Sequence, residues 1–238
     1  MALSTDQVME PEVLPLFTRA KVPTYVTRVP SAPDVNPETL ARMAADLPAA
    51  ATLLPWSAGF GAVGYGCTSG ATVIGRDRVA ALVAKGAGRV PAGAPTSETP
   101  VTDPLSALLV ACRALNVRRL GLLTPYEPQT AAALRRALEA AGIHVVADAT
   151  FGQSAEETVA RIAPRSVAEG LRQVAVPDAD AVFASCTNLR SFAVVEAVER
   201  DINRPAISSN SVFAWHLAAL AGHRLGGPGR LFRLTPLN

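Results

Sequence analysis

The chain has 238 residues, of which 49% are hydrophobic and 18% charged, so it can bury the core of one domain or of two joined lobes. Its formal net charge is only +2 and aromatic residues make up 5%, which argues against nucleic-acid binding because basic and stacking side chains are scarce. The apolar runs are too short or too interrupted to cross a bilayer, and no charged segment followed by an apolar one opens the chain as a secretory leader. We therefore expect a cytoplasmic protein with neither a nucleic-acid nor a membrane partner.

The first half of the chain alternates strands and helices, with glycine, proline and capping residues at their ends. It opens with only the last few residues of a strand. Asn36 is expected to cap a helix that Pro48 breaks or kinks. The predicted elements are a strand end at 1–6, a strand at 23–29, a helix at 37–47, a strand at 61–66 and a helix at 77–85.

The second half repeats this alternation. Its predicted strands lie at 118–123, 144–147, 180–185 and 205–210. Its predicted helices lie at 105–115, 129–141, 155–162, 192–201 and 212–222, and one further helix begins at 164. Strands that alternate with helices predict parallel sheets covered on both faces. Ligands of such sheets bind in the crevice at the carboxyl ends of the strands.

Two cysteines follow buried strands at such carboxyl ends. Cys67 lies in the segment YGCTSG and Cys186 in the segment ASCTNL, so each is followed by a threonine and by a predicted helix start. A helix N-terminus favours the thiolate, the reactive form of cysteine, so both thiols are expected to have a lowered pKa. Thr68 and Thr187 offer hydroxyl and backbone donors to a substrate carboxylate.

The repeat extends beyond the cysteines. The spacing between them (186 minus 67) is half of the 238-residue chain, and proline-containing strands at 94–98 and 205–210 follow each of them. This predicts an α/β fold of two pseudo-symmetric Rossmann-like (flavodoxin-like) lobes with parallel sheets and an active site in the cleft between them. The lobes are expected at 1–103 plus 211–238, with the last helix returning to the first lobe, and at 104–210.

Other polar residues near strand ends are weaker candidates. Tyr126 follows a strand tip and could bind a carboxylate or pack at the lobe interface. Residues that end the proline-containing strands could cap helices or touch a ligand; they are Thr96, Ser97, Ser209 and Asn210. Cys112 lies in an apolar helix and is expected to pack in the core. The three histidines lack metal-ligand spacing and no nucleotide-binding motif is present, so we expect neither a metal nor a cofactor.

Four segments together resemble the Asp/Glu racemase superfamily: YGCTS at 65–69, LLTPY at 122–126, SCTNLR at 185–190 and RPAISSN at 204–210. The resemblance runs from about Asp6 to Ala221. It is strongest to the branch of maleate cis-trans isomerases, arylmalonate decarboxylases and racemase-like ectoine-utilisation proteins. Members are two-lobed and cofactor-independent.

The resemblance implies a catalytic pair, Cys67 and Cys186, and a set of substrate-binding residues. These are Asp6, Thr68, Ser69, Thr96, Ser97, Tyr126, Thr187, Asn188, Ser209 and Asn210. Decarboxylases of this branch keep only the second cysteine, so Cys67 counts against that chemistry. Maleate isomerases tend to place an asparagine within the segment at 151–156, which this chain lacks; this leans toward the ectoine-utilisation relatives.

Four functions compete. The leading one is a maleate-type cis-trans isomerase of a small unsaturated dicarboxylate, with Cys67 as nucleophile and Cys186 as proton donor. The alternative is an amino-acid racemase of the Asp/Glu type, or an ectoine-utilisation relative, in which the thiols exchange an α-proton from opposite faces. An arylmalonate-type decarboxylase and a non-catalytic metabolite sensor follow. In each case the partner is a small carboxylic acid, and a homodimer is the default assembly.

Overall fold

The computed structural model describes residues 1–87 and 99–234, and strands alternate with helices in this part of the chain. The strands are β1 (Ala2–Leu3), β2 (Arg28–Val29), β3 (Val63–Gly64), β4 (Val101–Thr102), β5 (Arg119–Tyr126), β6 (His144–Gln153), β7 (Ala181–Ala184) and β8 (Ala206–Ser208). The helices are α1 (Met9–Arg19), α2 (Pro37–Thr52), α3 (Thr68–Ile74), α4 (Arg76–Ala87), α5 (Pro104–Ala114), α6 (Pro128–Ala140), α7 (Glu156–Arg161), α8 (Pro164–Gln173), α9 (Phe192–Ile202) and α10 (Ser209–Leu220). None of the helices in these two ranges has the length and apolar composition needed to cross a membrane.

The sheets are parallel, as predicted. The second half holds a four-stranded sheet in the order β6-β5-β7-β8. The first half forms two two-stranded sheets, β1-β2 and β3-β4, and a parallel bridge between Ala2 and Gly66 brings them side by side. Nearly all of β5 and all of β7 are buried, which is typical of parallel strands covered by helices on both faces. The tips of β3 and β7, which precede the two cysteines, are therefore set in packed cores.

A loop before α2 joins the two halves. Val35 donates its N–H to the carbonyl of Ser154 at 2.8 Å, and Glu156 donates its own to the carbonyl of Pro33 at 2.9 Å. Glu156 is the first residue of α7. The first half of the chain thus fixes where α7 begins.

The last helix, α10, packs against α1, α5 and β3. Its contacts with α1 and β3 agree with its predicted return to the first lobe. Helix α5 follows the predicted boundary at 103/104, and it also contacts α3 of the first half. The division into 1–103 plus 211–238 and 104–210 stays a prediction.

Among the elements that differ from the predictions are α2, the strand predicted at 23–29 and α1. Helix α2 runs through Pro48 to Thr52, because its packing on α4, where the Gly86 backbone approaches the Pro48 carbonyl, outweighs one missing hydrogen bond. The strand predicted at 23–29 is reduced to Arg28–Val29. Helix α1 was not predicted, since prolines interrupt its apolar pattern at its first turn and at Pro15.

Candidate active site

Cys67 occupies the N-cap position of helix α3, as its sequence context predicted. Its backbone is extended, with φ at −150°, and its Sγ accepts the N–H of Gly70 at 3.1 Å. Gly70 is required here: a Cβ atom would lie 2.3 Å from the Tyr65 hydroxyl and 2.9 Å from the Cys67 Sγ. The thiol is 5% exposed. Cys67 is therefore a buried N-cap residue whose sulfur packs directly against Gly70.

Cys186 follows β7 but does not begin a helix, so that prediction was wrong. Helix α9 starts only at Phe192, and the turn between them places Cys186 at φ +115°. A positive φ is strained for a residue with a Cβ atom, and such strain is typical of functional sites. The Ser209 Oγ accepts the Cys186 N–H at 2.9 Å, and the Asn188 N–H reaches the Cys186 Sγ at 3.3 Å. These bonds hold the thiol in its strained position.

A buried carboxyl group contacts Cys186 through a tyrosine. The Tyr126 hydroxyl donates to Oε1 of Glu156 at 2.7 Å and lies 3.0 Å from the Cys186 Sγ. A phenol has one proton, so while Glu156 accepts it, the thiol of Cys186 is the donor to Tyr126. Asn188 donates from Nδ2 to the other oxygen of Glu156 at 2.6 Å. The result is a hydrogen-bonded chain from Cys186 through Tyr126 to Glu156.

Glu156 was not among the predicted site residues. It is 4% exposed, whereas the adjacent Glu157 is exposed and pairs with Arg161. Acidic residues are common in the first turn of a helix as ordinary surface groups, so nothing local distinguished the two. The only signal was the departure of the 151–156 segment from the maleate isomerase pattern.

Hydroxyl groups link the two cysteine-bearing strand tips. Thr68 and Ser209 share a hydrogen bond of 2.7 Å between their Oγ atoms, and the Thr187 hydroxyl donates to the Gly66 carbonyl at 3.3 Å. Ser69 is half-buried on α3. Ser209 therefore joins Thr68, beside Cys67, to the backbone of Cys186. The structure thus brings Thr68 of the first repeat into contact with Ser209, which follows the second.

Asn210 contacts residues other than the two cysteines. Asn210 donates from Nδ2 to Glu12 at 2.8 Å and to the Thr187 carbonyl at 2.9 Å, and Glu12 in turn accepts the N–H of Phe192. This amide thus supports the turn after β7. Ser209 and Asn210 are not helix caps as anticipated, because Ser208 caps α10. Thr96 and Ser97 lie outside the described residues.

Asp6 lies at the end of the first strand segment, between β1 and α1. Its Oδ1 accepts the N–H groups of Val8 and Met9 at 2.9 and 2.8 Å. Its Oδ2 is buried and has no hydrogen-bond partner among the described residues. The neighbouring Gln7 N–H donates to Oδ1 of Asn188 at 2.9 Å, which ties this segment to the Cys186 turn. Asp6 thus lies next to the site with one carboxylate oxygen unused.

Burial dominates the electrostatics of the thiols. Burial raises the pKa of Cys67 to about 12, although the N–H of Gly70 and the Tyr65 side chain each lower it by a smaller amount. Burial also raises the pKa of Cys186 well above its usual value. The carboxyls of Glu156 and Asp6 raise the pKa of both thiols further. Burial also raises the pKa of Glu156. The prediction that helix ends lower the thiol pKa values was wrong for the free protein, because desolvation outweighs the one helix end present.

Cys112 lies on the fully buried face of α5, as predicted. Burial raises its pKa to about 12 as well. No polar side chain among the described residues hydrogen-bonds to it. It therefore differs from Cys67 and Cys186 in its surroundings, although all three are free cysteines.

Comparisons with known proteins place this geometry in a family. Residues 79–232 match the arylmalonate decarboxylase family. The arylmalonate decarboxylase of Bordetella bronchiseptica is 30% identical over 138 residues, which are 56% of this chain and 58% of that protein. The chain thus aligns with little more than half of the length of this curated relative.

Solved structures agree over the whole chain. A cysteine-to-serine mutant of Nocardia farcinica maleate cis-trans isomerase with a covalently bound succinylcysteine intermediate has a TM-score of 0.87 at 24% identity, covering 98% of this chain and 97% of that one. A mutant of the maleate isomerase Iso from Pseudomonas putida S16 with maleate has a TM-score of 0.86 at 21% identity, covering 100% and 98%. These likenesses confirm the predicted α/β fold. The chain belongs to the arylmalonate decarboxylase family, within the Asp/Glu racemase-like superfamily that its motifs resemble.

Proposed function

We propose that this protein is a cofactor-independent isomerase of a small carboxylic acid, in which Cys67 and Cys186 act on the substrate from opposite sides. The observation that carries the proposal is the pair of buried thiols at matching strand tips, joined through Thr68 and Ser209. A single proton donor would suffice for decarboxylation. Two thiols are needed when one group must take a proton or form a bond while the other returns a proton.

The contacts of the thiols support different roles. Cys186 belongs to the hydrogen-bonded chain with Tyr126 and Glu156, so its proton can move toward a carboxylate and return. Cys67 accepts the Gly70 N–H on its sulfur, a contact that favours the thiolate, although burial outweighs it in the free protein. This supports Cys186 as the acid–base group and Cys67 as the nucleophile or second base.

Both isomerase reactions balance with these groups. On an alkene, the Cys67 thiolate forms a C–S bond and Cys186 protonates the neighbouring carbon; rotation and the reverse steps release the trans product and restore both groups. On a saturated acid, one thiolate takes the α-proton, the C–H electrons move into the carboxylate, and the other thiol protonates the opposite face. The covalent succinylcysteine of the Nocardia relative supports the first reaction.

The hydroxyl groups of Thr68 and Ser69 are proposed to bind the substrate carboxylate, together with that of Thr187 when it releases the Gly66 carbonyl, and Ser209 and Asn188 orient Cys186. Thr68 and Thr187 are buried beside the cysteines. Neutral donors of this kind bind a carboxylate without an arginine.

A decarboxylase is the second candidate, and the family match and the Bordetella relative favour it. In that reaction a malonate loses carbon dioxide and one thiol protonates the resulting carbanion. Cys186 would suffice for this step. The presence of Cys67 favours the isomerase.

The test is proton NMR in deuterated water with maleate, aspartate, glutamate and phenylmalonate. Isomerisation of maleate, or deuterium exchange at the α-carbon of an amino acid, supports the proposal if Cys67→Ser and Cys186→Ser both abolish it. Cys112→Ser is the control and is expected to retain activity. Carbon dioxide release that survives Cys67→Ser identifies a decarboxylase, and binding without turnover of any substrate identifies a sensor.

A further inference from the structure

Two buried carboxyl groups lie at the proposed site. Glu156 is 4% exposed and Asp6 is 6% exposed. Both oxygens of the Glu156 carboxyl accept hydrogen bonds, from Tyr126 and from Asn188. The Asp6 carboxyl uses only one oxygen, and its Oδ2 is buried without a hydrogen-bond partner in the described chain. A polar atom buried in this way normally has a partner.

Asp6 lies beside the turn that carries Cys186. The N–H of the next residue, Gln7, donates to Oδ1 of Asn188 at 2.9 Å, and Asn188 contacts both Glu156 and the Cys186 sulfur. In keeping with this position, the Asp6 charge raises the pKa of Glu156 and of both thiols. The Glu156 charge likewise acts on both thiols. The two carboxyls therefore occupy the same small region as the two thiols.

No cationic side chain in the described residues hydrogen-bonds or ion-pairs with either carboxyl group. The Arg28 guanidinium donates to the backbone carbonyls of Leu3 and Asp6 and pairs with Glu10 instead. Buried carboxylates without a counter-charge are costly. A positively charged ligand would offset that cost.

A dicarboxylate would do the opposite. It would bring two negative charges to a site that already holds two acids and two thiols, one of which must ionise for catalysis. A substrate with one carboxylate and one cationic nitrogen brings no net charge. Its carboxylate would meet the hydroxyl groups at the strand tips, and its nitrogen would meet the acids.

We propose that the substrate carries a positively charged nitrogen, an ammonium or amidinium group, bound by Asp6 and Glu156, in addition to its carboxylate. The assignment rests on the proposed function of this same site. It favours α-proton transfer on an amino-acid-like zwitterion over reaction of a dicarboxylate alkene. Asp6 and Glu156 bind the nitrogen in this scheme, while the thiols exchange the proton.

The test measures binding without turnover. A Cys67→Ser, Cys186→Ser double variant is titrated calorimetrically with two matched pairs, β-alanine against succinate and phenylglycine against phenylmalonate. Within each pair an ammonium group replaces a carboxylate. The ammonium member is expected to bind at least about tenfold more tightly, as for one charge-assisted hydrogen bond.

Adding Glu156→Gln or Asp6→Asn is expected to erase that preference. Glu157→Gln, which removes the same charge from the neighbouring exposed position, is the matched control and should leave it unchanged. Because the Asp6 side chain also holds two backbone N–H groups, Glu156→Gln serves if the Asp6 variant does not fold. Equal or tighter binding of the dicarboxylates, no binding of either ammonium compound, or a preference that survives both substitutions would overturn the inference.

The two proposals fail separately. If the ammonium compounds bind preferentially while the NMR series shows no isomerisation or exchange, the substrate class stands and the isomerase is wrong. If maleate is isomerised and succinate binds more tightly than β-alanine, the isomerase stands and the substrate class is wrong.

Discussion

The strand tips at Cys67 and Cys186 share a Cys-Thr sequence but differ in structure. Cys67 has extended backbone and caps a helix, with a backbone N–H against its sulfur. Cys186 has a strained positive φ, precedes a turn rather than a helix, and contacts a tyrosine that bonds to a buried glutamate. A repeated motif has thus acquired two environments.

The difference shows how one pair of identical groups can be given separate tasks. The turn after Cys186 exists because Glu12 accepts the N–H groups of Ser191 and Phe192 and so fixes where α9 begins. No such contact delays α3 after Cys67. Distant parts of the chain therefore decide whether a cysteine caps a helix, as Cys67 does, or hydrogen-bonds through a tyrosine to an acid, as Cys186 does.

The largest expected effect comes from removing either thiol. Cys67→Ser and Cys186→Ser are each expected to lower kcat for isomerisation or racemisation by about 10³-fold or more, because the two groups act as a unit. Steady-state kinetics with the substrate found by NMR measures this. If Cys67→Ser retained most of the activity, only Cys186 would be needed for the reaction, and the two-thiol proposal would be wrong.

Thiol reactivity is the next test. Raising the pKa of Cys67 from 9.0 to about 12 leaves roughly 10³-fold less thiolate near neutral pH. Alkylation of the folded, ligand-free protein by iodoacetamide should therefore be slow at pH 7 and accelerate about tenfold per pH unit toward pH 10. Mass spectrometry of each cysteine peptide follows the reaction, with protein unfolded in guanidinium as the reference.

The sign follows from which form reacts. The thiolate reacts, and a raised pKa means that it appears only as pH rises. If Cys67 is labelled faster at pH 7 in the folded protein than in the unfolded chain, burial does not control its pKa. The start of helix α3 would then lower the pKa of Cys67, as the sequence predicted.

Tyrosine variants test the acid connection at Cys186. Tyr126→Phe removes the hydroxyl between Cys186 and Glu156 and is expected to lower kcat about 10²-fold, within the usual range for a proton-transfer group. Tyr65→Phe is the matched change near Cys67. The Tyr65 hydroxyl donates to the sulfur of Met43 and lowers the Cys67 pKa less than burial raises it, so this variant should cost less than about tenfold. Equal decreases in kcat in the two variants would show that the tyrosine beside Cys186 has no special role in proton transfer.

The smallest effect concerns backbone strain. Glycine relieves a positive φ but only adds flexibility to an extended residue. Cys67→Gly is therefore expected to destabilise the protein by about 1 kcal/mol more than Cys186→Gly. Chemical denaturation compares the two variants, and a larger loss for Cys186→Gly would show that the strain is absent or that its thiol contacts outweigh it.

Much of the fold follows from local pattern. The alternation of strands and helices, the Asn36 cap and the strand before Tyr126 all appear where the sequence predicted them. Helix α1 and the passage of α2 through Pro48 were missed, because packing against other helices overrides the tendency of proline to end a helix.

The sequence by itself determined that two thiols follow buried strands and that Tyr126 follows a third, because burial runs and turn residues are local signals. Only the tertiary structure decided that Glu156 rather than Glu157 is buried, that Asp6 is buried beside the Cys186 turn, and that burial raises the thiol pKa values. The reason is physical: the charge state of a group depends on what surrounds it in space, and here those surroundings come from segments far apart in the chain.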